Sequence, residues 1–505
     1  MRKSGILMPV FSLPSDWGIG CFSKEAEEFV DFLVRSGQSY WQLLPLSPTA
    51  YGDSPYQSPS AFAGNPYFID IAALCREGLL TEEEAESYRK LCSTRSRVDY
   101  NFLYTTRGDI LLKAFSRFDT RSPDYISFKD TESYWLGDYA LFMAIKETLG
   151  GAPLKDWPGK LKHAHNGATA DFDVDTIRRA EFHKFVQYQF MKQWLGIKKY
   201  ANSKGIQIIG DIPIYVAADS ADLWSHSELF ELGSDLNPVT VAGCPPDRFD
   251  KRGQLWGNPI YDWEQHTKDG NRWWIERIKR NMRLYDVIRL DHFRGFESFY
   301  SVPADSETAE KGEWRKGPGI ELFNAIKKGC PHAKFIAEDL GFITDSVRKL
   351  LADTGFAGMK ILQFAFEGTE DNVYLPHNYT ANNVVYTGTH DNHTAAGWAT
   401  AAPPSAVKRM AEYVNTPLSC REDVCRSLVH LAMTSVADTC IIPFYDYLER
   451  GDEYRINIPG KVGGHWTVRF DREDFSGVLV RRIWHLTKLS GRLKHTGVEP
   501  RMVLK

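Results

Sequence analysis

Four short segments of this 505-residue chain end an apolar run in an acid. In Val287-Ile288-Arg289-Leu290-Asp291-His292, alternate side chains of an extended strand share a face, so Arg289 and Asp291 point the same way. A guanidinium beside a carboxylate favours its ionised form, which suits a nucleophile; the same pair would also serve as a plain salt bridge closing a strand. Phe335-Ile336-Ala337-Glu338-Asp339 ends in two acids, with Glu338 at the last strand position; an acid there also suits a helix N-cap. Val385-Tyr386-Thr387-Gly388-Thr389-His390-Asp391 sets a carboxylate beside an imidazole, and Ile208-Ile209-Gly210-Asp211 supplies a fourth acid. Acids at the ends of four strands of one barrel meet in one cavity. Their mutual repulsion raises at least one pKa and leaves a protonated general acid beside an ionised nucleophile. Two carboxyls about 5 Å apart across a sugar ring give double displacement with retention.

The elements that must position these acids recur along the chain. Apolar or β-branched runs that end in polar residues occupy Gly5–Phe11, Tyr40–Leu46, Gly205–Val216, Asp286–Phe293, Lys334–Gly341, Gly358–Phe366, Asn383–Asn392 and Cys440–Leu448. Eight strand-then-helix units make a closed (β/α)8 TIM barrel, an α/β fold that places its site at the carboxyl ends of the strands. Helix signals lie between the runs. Ser23 precedes an acidic first turn that Gly37 later stops, Thr81-Glu82-Glu83-Glu84 reads as a capping box, and helical patterns cover 111–118, 134–149 and 176–200. Uneven spacing adds large insertions after strands 2 and 3. The first, 70–200, is mainly helical; the second, 217–285, holds a loop rich in Gly, Pro and Trp. With no linker and no repeat, residues 1–505 are expected to be a single catalytic barrel without a separate C-terminal β-sandwich domain.

Composition excludes several classes. A net charge of −4 disfavours a nucleic-acid or anionic-membrane surface. No apolar run reaches the length of a membrane span, and the run after Arg2-Lys3 is interrupted by Pro9, as a barrel strand rather than a signal peptide would be. The eight cysteines are scattered without metal or disulfide spacing, which points to reduced thiols and a cytoplasmic location. A phosphate cradle after a strand is missing, so no nucleotide cofactor is expected.

The ordered acids and their flanks resemble the characteristic segments of the α-amylase superfamily, and in detail its amylomaltase or disproportionating-enzyme branch, the 4-alpha-glucanotransferases. Further segments agree: Tyr51-Gly52-Asp53-Ser54-Pro55-Tyr56-Gln57-Ser58, Ala61-Phe62-Ala63-Gly64-Asn65-Pro66, Pro245-Pro246-Asp247, Gln254-Leu255-Trp256-Gly257-Asn258-Pro259 and Asn457-Ile458-Pro459-Gly460. The resemblance implies Asp291 as nucleophile, Glu338 as general acid and then base, and Asp391 as stabiliser of the oxocarbenium-like transition state, helped by His390. It implies that Arg289 keeps Asp291 charged and that Asp211 and His292 bind the reacting ring. Tyr51, Ser54 and Tyr56 are implied as sugar contacts, and Trp256 as a stacking platform on a loop arching over the cleft. Partners are then maltooligosaccharides and α-1,4-glucans, with glucose as acceptor or product.

Transfer and hydrolysis share the first half-reaction, so a retaining α-glucan hydrolase is the alternative reading. Transfer over water needs a bound acceptor, and bound reactants reach effective molarities of about 10⁵ M or more. The third-strand segment lacks the Asn-His pair with which amylases begin a calcium site, so no metal is expected. Cys244, Arg248, Tyr445 and His465 depart from the family pattern, which bears on outer subsites and chain-length preference rather than on the acids.

Overall fold

The structure, a computed structural model, describes residues 2–50, 52–92, 96–163, 172–246 and 251–493. Its strands are β1 (Lys3–Leu7), β2 (Tyr40–Gln42), β3 (Gln207–Ile212), β4 (Thr240–Cys244), β5 (Gln254–Pro259), β6 (Val287–Leu290), β7 (Ser298–Pro303), β8 (Glu313–Lys316), β9 (Phe335–Ala337), β10 (Ala357–Ile361), β11 (Asn383–Tyr386) and β12 (Thr439–Pro443). Eight of them close into a barrel in the order β1-β12-β11-β10-β9-β6-β3-β2, and every pairing is parallel. Each of the eight apolar runs in the sequence overlaps one of these strands. The strands stop short of the polar ends of the runs because the ladder ends where the loops turn away.

Local signals explain the helices. The Thr81 hydroxyl accepts from the Glu84 amide at 3.2 Å and the Glu84 carboxylate accepts from the Thr81 amide at 3.0 Å, a reciprocal cap for Glu82–Cys92. Ser23 does precede the helix Lys24–Arg35, but its hydroxyl donates to Glu25 at 2.5 Å instead of capping a backbone amide. Between β2 and β3 the chain forms, among others, Tyr100–Ser116, Ser133–Thr148 and the 30-residue helix Val174–Ser203, which returns the chain to the barrel. That helix is fastened by Trp194, whose indole nitrogen donates to the Leu284 carbonyl at 3.0 Å and whose ring packs on Trp41 and Phe22. The start of the helix Ser133–Thr148 is fastened by an ion pair. Glu132 and Arg280, both with fully buried side chains, pair at 3.3 Å, Arg283 also binds Glu132, and the Arg280 guanidinium lies 5.1 Å over Trp135.

A four-stranded antiparallel sheet, order β5-β4-β7-β8, stands beside the barrel. The sequence pattern gives a Gly/Pro/Trp-rich loop within 217–285 and no strand between the runs Asp286–Phe293 and Lys334–Gly341, where β7 and β8 form. The β4–β7 ladder escapes a local reading because it joins segments far apart, Val241 opposite Val302. After β12 the described chain forms short helices and the helix Gly477–Leu489 with no β-sandwich.

Close approach fixes one glycine. A Cβ on Gly210 of β3 would lie 2.1 Å from the Tyr285 ring, so only glycine lets that ring seat beside the strand that carries Asp211.

Candidate active site

Barrel strands β3, β6 and β9 deliver their acids side by side. Asp211 lies within β3, whereas Asp291 and Glu338 each follow the last residue of their strands, β6 and β9. Asp391 is farther out than a strand end. It sits five residues past Tyr386, in the turn before the helix Ala395–Ala401.

One guanidinium joins the first three. Arg289 Nη1 donates to both Asp211 oxygens at 2.7 and 2.6 Å and to Asp291 Oδ1 at 3.0 Å, while Nη2 lies 3.5 Å from Glu338 Oε2. Arg289 and Asp211 are buried, whereas Asp291 and Glu338 keep part of their side chains open. Register accounts for the grouping: Asp211 is paired with Arg289 across β3 and β6, and Arg289 with Ile336 across β6 and β9. Tyr56 OH donates to Asp211 Oδ2 at 2.7 Å, so the loop after β2 closes over the same carboxylate. The Tyr56 ring stacks on His390 at 5.2 Å, and Trp466 packs against both. His390 Nε2 is 3.3 Å from Asp391 Oδ1.

His292 adopts a left-handed backbone, φ 48°, which aims its amide N–H at Glu338 Oε2, 2.5 Å away. Its ring meets Trp256 edge to face at 4.8 Å. Trp256 is not on a free loop. It belongs to β5, and Gln57 ties that strand to the loop after β2 through Asn258 at 3.1 Å. Ser54 accepts from the Tyr56 amide at 3.2 Å and so shapes the turn that presents Tyr56. Tyr51, Asp247 and Arg248 lie outside the described residues.

A model of the 4-alpha-glucanotransferase family matches residues 8–474. The chain is 43% identical over 488 residues to a 4-alpha-glucanotransferase of Clostridium butyricum, covering 96% of this chain and 100% of that one. Identity to the 4-alpha-glucanotransferase of Thermus thermophilus is also 43%, over 478 residues, covering 93% and 94%. The structure superposes on an amylomaltase from Streptococcus agalactiae in complex with acarbose with a TM-score of 0.93 at 39% identity, covering 98% and 100% of the two chains. The chain belongs to the 4-alpha-glucanotransferase family. It is a glycosyl-transferring enzyme that acts on α-glucans.

The electrostatics of this glucanotransferase separate its two closest acids. Burial, and then the Asp291 charge, push the Glu338 carboxyl well above its ordinary value, against Arg289 and the His292 amide. Burial also raises Asp291, but Arg289 opposes it, as does a hydrogen bond with Glu338. The guanidinium therefore offsets the burial of Asp291 without cancelling it. A proton entering the pair settles on Glu338, whose distance to Arg289 is the longer. Burial also pushes His292 down to about 3 and lowers His390, leaving both imidazoles neutral and able to hydrogen bond sugar hydroxyls. Burial keeps the Tyr56 phenol protonated, as its bond to Asp211 requires.

Two residues of this glucanotransferase went unassigned in the sequence. Asn457 Nδ2 donates to Asp391 Oδ1 at 2.6 Å, and Arg455 Nη2 donates to the Asp391 carbonyl at 2.7 Å. The Asn457-Ile458-Pro459-Gly460 segment was the available signal, but nothing in its spacing names a partner. Among the described residues no group of three or more His, Cys, Asp and Glu is arranged to hold a metal, and no helix is long and apolar enough to cross a membrane.

Proposed function

We propose that the enzyme cleaves an α-1,4-glucan by attack of Asp291 on the anomeric carbon while Glu338 protonates the departing glycosidic oxygen. Glu338, now ionised, takes the proton from the 4-hydroxyl of an acceptor glucose or glucan. That oxygen displaces Asp291, and two inversions leave the α configuration retained. Asp391, backed by Asn457 and His390, grips hydroxyls of the reacting ring as positive charge develops. Asp211, Arg289 and His292 hold the same ring, with Tyr56 and Ser54 flanking it and Trp256 roofing it. Tyr51 belongs to this set through its place in the motif.

The observation that carries the reading is the shared guanidinium. Arg289 lies 3.0 Å from Asp291, the acid that must be ionised, and 3.5 Å from Glu338, the acid that must be protonated. Maltooligosaccharides, starch-like and glycogen-like chains are the proposed donors, with glucose as acceptor or product. The proposed compartment is the cytoplasm, supported by eight cysteines that are all unbridged.

Incubation with maltotriose tests the assignment. Transfer yields glucose together with chains longer than the substrate, and Asp291→Asn abolishes both; only shorter products from the parent enzyme would favour a hydrolase.

A further inference from the structure

A glucan held at Asp291 and Glu338 continues past the bond being exchanged. Sugar rings present apolar C–H faces, and broad aromatic faces left in water are the surfaces that receive them. Two such side chains root in the loops that carry the nucleophile and the acid. Phe342 follows Glu338 by four residues and is 70% exposed; Trp314 on β8 is 40% exposed.

One buried side chain holds both. Arg294, three residues past Asp291 and only 3% exposed, lies 3.7 Å over the centre of the Trp314 ring. Its Nη1 donates to the Phe342 carbonyl at 2.5 Å and its Nη2 to Ser298 Oγ at 2.8 Å. Its Nε is buried with no hydrogen-bond partner among the described residues. A desolvated guanidinium is costly, and here it holds the Trp314 ring and the backbone of Phe342. The guanidinium covers one face of the indole and Tyr300 meets it edge-on at 5.2 Å, yet Trp314 stays exposed. Exposed Lys316, two residues on and on the same strand face as Trp314, adds a hydrogen-bonding group. Gly341, φ 83°, has no atom within 4 Å of its would-be Cβ apart from its chain neighbours, so nothing else crowds the backbone just before Phe342.

We propose that Trp314 and Phe342 form an outer platform for the α-1,4-glucan beside the loop that follows Glu338, stacking glucose units beyond those that flank the exchanged bond. The inference rests on Glu338 as the general acid. It makes chain-length preference a property of the antiparallel sheet and the loop after β9, which Arg294 holds in register.

The experiment compares kcat/KM for maltotriose and maltoheptaose in the parent enzyme and in Trp314→Ala, Trp314→Phe and Phe342→Ser. The ratio of long to short substrate should fall about two- to tenfold for each lost ring, chiefly through KM, and Trp314→Phe should retain most of it. Phe342→Ser alters a side chain mostly in solvent and keeps the test available should Trp314→Ala fold poorly. A ratio equal to the parent's in all variants, including equal losses on both substrates, would overturn the platform. Absence of maltotriose transfer in the parent enzyme would instead overturn the reading of the acids.

Discussion

Arg289→Lys separates the charge of the guanidinium from its shape. Nη1 serves Asp211 at 2.7 and 2.6 Å and Asp291 at 3.0 Å, and Nη2 approaches Glu338. Lysine offers one nitrogen. The fully buried Asp211 claims it, because an unpaired buried carboxylate is the more costly outcome. Asp291 then loses a charge-assisted hydrogen bond of about 1.5–3 kcal/mol, and its 25% exposure places the loss near the lower figure. That is about a tenfold fall in kcat/KM. The lysine charge remains, but the lost hydrogen bond is one of the interactions that oppose the burial of Asp291, so its carboxyl titrates at higher pH. Attack needs the ionised form, and activity disappears as pH falls through that pKa. The acid limb of the pH–rate profile therefore moves up by about one pH unit. Glucose release from maltotriose, followed across the acid range with circular dichroism to verify folding, measures both effects. A slower enzyme whose acid limb stays in place would refute the reasoning and leave Arg289 acting through Asp211 alone.

Glu338→Gln should lower kcat on maltotriose by about 10²–10⁴ yet much less on α-maltosyl fluoride, whose leaving group needs little protonation. Because the raised Glu338 loses its proton as pH rises, the alkaline limb should vanish in this variant. Trp256→Ala should raise the hydrolysis-to-transfer ratio on maltotriose, read by chromatography, since the ring roofs the residues around His292. Asn457→Ala, which strips a 2.6 Å partner from Asp391, should lower kcat about tenfold, with Asn457→Asp no better because two carboxylates then face each other. Glu132→Ala strands the buried Arg280 and should cost about 3–5 kcal/mol in denaturant unfolding while leaving the acids untouched.

The acids on strands were legible because a strand repeats every two residues. Arg289 and Asp291 were bound to share a face, and the β6–β9 register then brought Glu338 to the same guanidinium. The barrel was legible for a related reason: its parallel strands are short, mostly apolar runs followed by polar residues. Asp391 was misplaced because Thr387 to His390 continue the strand-like pattern after the ladder has ended. Asn457 reaches Asp391 from 66 residues away, and Tyr300 faces Gly243 from a different excursion of the chain. Such meetings depend on closure of the whole barrel, which no local window of residues contains.

The β4–β7 ladder stitches together two excursions, one leaving before the nucleophile strand and one just after it. Neither can be lengthened, trimmed or grafted from a relative by itself without stripping a hydrogen-bonding edge bare and inviting another strand to occupy it. Specificity engineering in this enzyme must therefore treat the Trp256 hairpin and the Trp314 hairpin as one transplantable unit.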